Sequence, residues 1–352
     1  MQIDFHHATT YVLSRLAGFT KSNAEIIAYA SQYVDDATSS GTVYFDNNAL
    51  YHRISTAHKM LDPRNLTALA NHQVWIPFHF LPGNGGKGMG KNPEGSFIDK
   101  IICTPDSFIA RKMITETITQ QDRLYGLHRL GVAMHVYADT WSHQGFSGVL
   151  HYVNEVEGAK ENGISGVFTS GLMEIIRDVL DDTIPPLGHA RATVFPDIPF
   201  LSWEYTNGRG EKTTRDNTDI FCQAVEYMFR AMKRFLAKDP SLKVGGIKSS
   251  DKTRIRRLFT DTQEENGEKR HKVWLNAIRE GAFSFGKEKI SYAPRGEESW
   301  KAHALGTSLD LPVHSYKKNF LTSNWKLFHD AVQAHRFSVI HDILPRFGIC
   351  AA

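Results

Sequence analysis

The stretch Leu130-Gly-Val-Ala-Met-His135-Val-Tyr-Ala-Asp139-Thr-Trp-Ser-His143-Gln-Gly-Phe146 decides the fold, because an apolar run there carries a polar seam at four-residue intervals. Four residues is slightly more than one helical turn, so His135, Asp139 and His143 stack along one helix face. His128, two turns upstream, keeps all four side chains within roughly 80° of one another at about 100° per residue. A buried imidazole or carboxylate is costly without a partner, so the seam calls for a neutralising cation. Neutral imidazole nitrogen and carboxylate oxygen both suit zinc, and Asp139 can bridge two ions with its two oxygens. His128, further from the others, reads as a hydrogen-bonding support.

With 352 residues, 41% hydrophobic and 22% charged, the chain can bury a real core. Forty-one Lys and Arg against 38 Asp and Glu leave a net charge of +3, too weak to point to nucleic acid by itself. Histidine is skewed, with ten of 17 in the first 151 residues, which favours a metal site in the N-terminal half. Cys103, Cys222 and Cys350 are odd in number and scattered, so neither a disulfide framework nor a thiolate zinc site is expected. Met1-Gln-Ile-Asp-Phe-His-His lacks the basic-then-apolar pattern of a signal peptide, and no stretch approaches the roughly 20 apolar residues of a spanning helix. The expected location is the cytoplasm, or outside the cell by a signal-peptide-independent route, with no transmembrane segment.

The periodicities predict an all-α, multi-helix fold with long loops and additional C-terminal helices. Helices are expected over Ala8 to Leu16, Ser22 to Val34 with Ser22 and Glu25 as a capping box, Thr104 to Gln120, and Arg123 to the glycines at 145 and 148. Further helices are expected at Leu172 to Leu180, Asn217 to Leu236, Lys272 to Glu280 and Ser323 to Ile343, with an extended stretch from Ile184 to Tyr205. Residues 1–210 read as a metal-binding helical core and 211–352 as a helical extension packed on the same domain. Gly83 to Gly95 is too rich in glycine for regular structure and lacks the Gly-Lys-Ser/Thr ending of a phosphate loop, so it reads as a surface loop. Basic residues around Lys252-Thr-Arg-Ile-Arg-Arg257 interleave with Asp261, Glu264 and Glu265, as on a solvated helix face.

Partners for the seam must come from elsewhere. His6 lies in the first amphipathic helix and Asp35 at the end of the second, with His7 and Asp36 as near-equivalent alternatives. His79 sits in the apolar string Trp75-Ile-Pro-Phe-His-Phe-Leu-Pro82, where a lone histidine is usually a satisfied core residue. His151-Tyr-Val-Asn-Glu155 repeats the four-residue spacing, while His189 in Pro185-Pro-Leu-Gly-His-Ala190 and Asp197 in Phe195-Pro-Asp are alternatives from a loop.

These residues resemble the zinc-dependent phospholipase C and S1/P1 nuclease superfamily. The carrying features are the HxxxD helix Leu130 to Asp139, the early His6, Asp35 at a helix end, Phe78-His79-Phe80 in an aromatic string, His143, and the HxxxE pair His151 and Glu155, in the family's order. The resemblance covers roughly the first 160 residues. It implies an all-helical fold holding two or three Zn2+ ions, with Met1, His6, Asp35, His79, His135, Asp139, His143, His151, Glu155 and His189 as candidate ligands. Asp139 would bridge, Asp35 would orient or deprotonate the attacking water, and Met1 would ligate through its amine and carbonyl. Met1 precedes His6 by the family's five positions, and large Gln2 disfavours removal of Met1. In that family a longer, proline-containing segment separates the bridging Asp from the next His, whereas only Thr140-Trp-Ser142 stand between Asp139 and His143. His189 and Asp197 therefore stay open as replacements for His151 and Glu155.

Metal ions of this kind lower the pKa of a bound water and stabilise a leaving oxygen, which is phosphoester hydrolysis. The expected partner is a phospholipid or other phosphodiester substrate, with membrane-surface contact through Gly83 to Gly95, Trp141 and Phe146. The runner-up is a metal-dependent nuclease of the same fold with an aromatic base-stacking pocket, in which Trp141 or Trp203 could take part. The reading from another class is a helical interaction protein with a structural metal.

Overall fold

The computed structural model describes residues 1–58, 67–161 and 186–351. Residues Asp4–Thr9 wind as a π-helix that runs directly into α1 (Thr10–Ala17). Thr20, in extended conformation, accepts a hydrogen bond from the Asn23 backbone N–H and starts α2 (Lys21–Asp36). The cap therefore lies two residues before Ser22, and Glu25 faces Lys21 at 3.5 Å instead of closing a capping box. A hairpin of β1 (Gly41–Tyr44) and β2 (Leu50–Arg53) follows, then α3 (Ala68–Phe78), short α4 (Phe97–Ile101), α5 (Phe108–Thr119) capped by Ser107, and α6 (Gly126–Ser142).

Strands β3 (Val156–Glu161), β4 (Ser202–Asn207) and β5 (Lys212–Asp216) form an antiparallel sheet in that order. The Asp216 carboxylate then caps α7 (Asn217–Ala237), and α8 (Ser249–Asp261), α9 (Gly267–Glu280), α10 (Trp300–Leu305) and α11 (Asn324–Phe337) complete the chain. A second π-turn, Ser338–Ile343, continues α11. The all-α expectation is thus corrected: two small antiparallel sheets, of two and three strands, accompany the helices. In β4 Trp203 and Tyr205 point inward while Ser202, Glu204 and Thr206 are partly exposed, a period of two that suits one buried face. The turn between β4 and β5 spans residue 210, and α7 packs on both α1 and α6. The predicted helix Leu172 to Leu180 lies outside the described residues.

Helix α6 is the axis of the core, buried everywhere except at Leu127 and surrounded by α2, α5, α7 and α11. Its closest approach is to α2 at Gly131. A β-carbon there would lie 2.4 Å from the Ile27 carbonyl oxygen and 2.7 Å from the Ala30 β-carbon, so only glycine lets the two helices touch. One turn further on, the same approach brings the Ser31 carbonyl within 2.9 Å of His135 Nδ1.

Candidate metal centre

His135 and Asp139 project from α6 toward Asp35 in the last turn of α2 and His79 at the C-terminal cap of α3. His135 Nε2 lies 3.3 Å from Asp139 Oδ2, 3.7 Å from Asp35 Oδ1 and 3.2 Å from His79 Nδ1. His79 Nδ1 is in turn 3.5 Å from Asp139 Oδ2 and 3.9 Å from Asp35 Oδ1.

Asp139 turns its two oxygens to different neighbours. Oδ2 faces His79, His135 and His143, the last at 3.6 Å. Oδ1 faces the Met1 amine at 2.9 Å and His6 Nε2 at 3.2 Å. His6 stacks on His135 with ring centroids 3.8 Å apart. The Met1 amine also lies 2.9 Å from Asp197 Oδ1 and donates to Ser142 Oγ at 3.3 Å.

The third group is His143, His189 and Asp197. His143 is the residue after the last turn of α6, and its Nε2 lies 3.6 Å from Asp197 Oδ1. Gly188 carries the chain across the face of Phe80 with φ +57°, where a β-carbon would meet the ring at 2.2 Å. That passage delivers His189, whose Nε2 lies 3.5 Å from Asp197 Oδ2. Asp197 itself ends a 3-10 turn, Phe195–Asp197.

The histidine tautomers are set by their outer partners. Nδ1 of His135 meets the Ser31 carbonyl, Nε2 of His79 the Thr56 carbonyl, Nδ1 of His143 the His79 carbonyl and Nδ1 of His189 the Thr193 carbonyl, all at 2.8 to 2.9 Å. A carbonyl only accepts, so each of those nitrogens carries the N–H, and in the neutral ring the opposite lone pair faces the carboxylates. Acceptors thus point at acceptors, and His6 leaves both buried ring nitrogens without a hydrogen bond. That donor set, imidazole nitrogen and carboxylate oxygen oriented by backbone carbonyls, fits divalent metal ions.

Electrostatics agree. Burial lowers His6, His135 and His189 to about 4, keeping them neutral. His79 is raised, because Asp139 and Asp35 outweigh its burial and favour positive charge there. Burial works against the charged form of Asp139, yet His143, the Met1 amine, His135 and His6 hold it well below the usual carboxylate range. Asp197 is held low in the same way, against its burial, by the amine, His189 and His143. The Met1 amine, opposed by burial, is raised to about 11 by Asp139, Asp197 and Asp35. Of the three carboxylates Asp35 is the one raised, by burial and by Asp139 against the pull of His6 and His79.

Of the candidate ligands, the structure brings together Met1, His6, Asp35, His79, His135, Asp139, His143 and His189, with Asp197 as the added carboxylate. His151 and Glu155 stand apart, which corrects their expected place. Residues Tyr152–Asn154 form a 3-10 turn and not a helix, so the four-residue spacing does not align the pair. His151 Nδ1 accepts from the Val153 N–H, and Glu155 pairs with Arg191 at 2.7 Å. The segment is instead a bracket: Asn154 Nδ2 donates to the carbonyls of Ser147, Val149 and Pro186, fixing the stretch that leads to His189. His7 faces His271 and Asp36 faces Tyr292, so neither alternative joins the cluster. His128 bonds Asn324 Oδ1 at 3.0 Å. Trp141, Trp203 and Phe146 are core residues, 2% exposed or less, and the first and last offer no apolar contact to a membrane. Arg215 escaped sequence reasoning altogether: fully enclosed in β5, it donates to the carbonyls of Trp141, Ser142 and Gln144 at the end of α6.

The cluster opens on a cavity of about 310 Å³ whose other wall carries Ala57, His58, Trp75, Phe80 and Leu187. No Lys or Arg lines it among the described residues. Among the described residues, too, no helix is long and apolar enough to cross a membrane. No curated protein and no solved structure gives a significant match to the chain. The model of one family, described as a family of unknown function (DUF6765), matches residues 1–343, and the chain therefore belongs to that family.

Proposed function

We propose that this protein is a metal-dependent phosphoester hydrolase, a phospholipase C-like phosphodiesterase that uses two or three Zn2+ ions. The observation that carries the reading is the convergence of four imidazoles and three carboxylates beside one cavity that no Lys or Arg lines among the described residues, the Met1 amine being the cation set against them. His79, His135, Asp35 and Asp139 would hold one ion, His143, His189 and Asp197 a second, and His6 and Asp139 a third, which Met1 would join once its amine had given up its proton. When bound, such ions draw in the non-bridging phosphate oxygens and lower the pKa of a water to near neutrality.

The chain's own residues do the rest. Asp139 divides its oxygens between the His6 side and the His135 side and so sets their spacing. Asp35 is about a third exposed and raised above its usual range, which suits a carboxylate that receives a proton from the attacking water. Ala57, Leu187 and the rings of Trp75 and Phe80 give the substrate an apolar contact. Those two rings also favour the second reading, a nuclease that stacks a base on them.

Purified full-length protein loaded with Zn2+ should hydrolyse a chromogenic phosphodiester, and chelator should abolish the activity. Parallel assays on phosphatidylcholine vesicles and single-stranded DNA choose between the two substrates. One tightly held ion per chain and no turnover on any of them would defeat the enzyme reading in favour of a structural metal.

A further inference from the structure

We infer that α9, in the part of the chain beyond the family resemblance, is a clamp that aims the N-terminal segment, and His6 with it, into the metal cluster. The inference deepens the proposed function and rests on that reading for its metal-counting arm.

Arg270 is completely buried, and its guanidinium turns every donor toward backbone or N-terminal atoms. Nε donates to Asp4 Oδ2 at 2.8 Å, and Nη2 to Asp4 Oδ1 at 3.2 Å and Gln2 Oε1 at 2.8 Å. Nη1 donates to the carbonyls of Glu264 and Glu265, both at 2.7 Å, which ties the fork to the start of α9. The next residue, His271, meets His7 Nδ1 through Nε2 at 2.9 Å. Two consecutive residues of α9 therefore hold Gln2, Asp4 and His7, the neighbours of His6 on both sides.

Attachment alone does not require this arrangement. Phe5 already anchors the segment in the core, 5.2 Å from Phe221 and 5.9 Å from Phe259 between ring centroids. A buried ion pair adds little stability over apolar residues of the same volume, because desolvation offsets the attraction. What it adds is direction: a bidentate fork fixes rotation about the Phe5 anchor, which an apolar contact leaves free. Direction matters here because the ring of His6 makes no hydrogen bond of its own and must still present Nε2 3.2 Å from Asp139 Oδ1. The π-helix Asp4–Thr9 allows the division of labour, with His6 toward the cluster while Asp4 and His7 face α9.

The test uses full-length wild type, Arg270→Lys and Asp4→Asn, the second nearly isosteric and chosen to keep the fold should the first fail. Zn2+ per chain is measured by mass spectrometry after loading and desalting, and backbone hydrogen exchange of residues 1–9 is measured in chelator. Each folded variant should hold about one ion fewer than wild type while keeping the others, and its N-terminal amides should exchange about tenfold faster. A wild-type ion count together with wild-type exchange overturns the clamp, as does cooperative collapse of both variants. A wild type that binds no Zn2+ defeats the hydrolase reading instead, and the exchange arm still decides whether α9 holds the segment.

Discussion

Arg215 Nη2 donates to the Ser142 carbonyl oxygen at 2.7 Å, placing a buried guanidinium on the negative end of the helix that carries His135 and Asp139. Its other contacts there are the carbonyls of Trp141 and Gln144, and its guanidinium lies over the Trp203 ring at 5.5 Å. Arg215→Met would strand buried carbonyls, so a loss of about 3 kcal/mol is expected in urea unfolding of the chelated protein. The same variant should weaken Zn2+ binding, because His143 lies between those carbonyls in the chain.

The two rival completions of the second ligand group are separable by substitution. His189→Ala and Asp197→Asn should each lower hydrolysis by at least about 100-fold and release one ion. His151→Ala and Glu155→Gln should stay within about threefold of wild type, since neither side chain reaches the cavity. Reversal of that pattern in steady-state rates and ion counts would restore the HxxxE pair.

Gly131 is the contact on which α2 and α6 close. Gly131→Ala must displace the Ile27 carbonyl or the Ala30 methyl, so a destabilisation of about 1–3 kcal/mol and a lower Tm are expected. Activity should fall further than stability, because Asp35 and His135 sit on the two helices being pushed apart.

Acid should unfold the chelated protein through its buried histidines, those outside the cluster as well as those within it. Burial lowers His128 to about 4 and His329 and His335 to about 3. In the unfolded chain these rings protonate near 6.5, so between about pH 6.5 and 3 the unfolded state binds more protons and stability falls as pH falls. Unfolding free energy measured across that range should decline progressively, and His335→Gln, which keeps a donor for the Pro77 carbonyl, should flatten the slope.

How much of the fold and the cluster was legible depended on where the information sits. His135 and Asp139 were readable because a helix converts spacing into a shared face, and α6 is a regular helix. The same inference misplaced His151 and Glu155, because four-residue spacing has no such meaning across a 3-10 turn. The alternation of Trp203 and Tyr205 was a usable strand signal that the surrounding extended stretch obscured. Arg215, Ser31, Thr56 and Thr193 act through or upon backbone carbonyls, which every residue possesses, so no residue pattern could mark them.

His79 contributes to the cluster in both ways, through its side chain and through its backbone. Its ring faces His135 and Asp139, while its carbonyl oxygen receives the Nδ1 proton of His143. Substitution can delete the first role and cannot touch the second. The two halves of the cluster are thus independent at the level of the genetic code and joined at the level of the main chain: a lineage could lose the imidazole at position 79 and still inherit the orientation of His143.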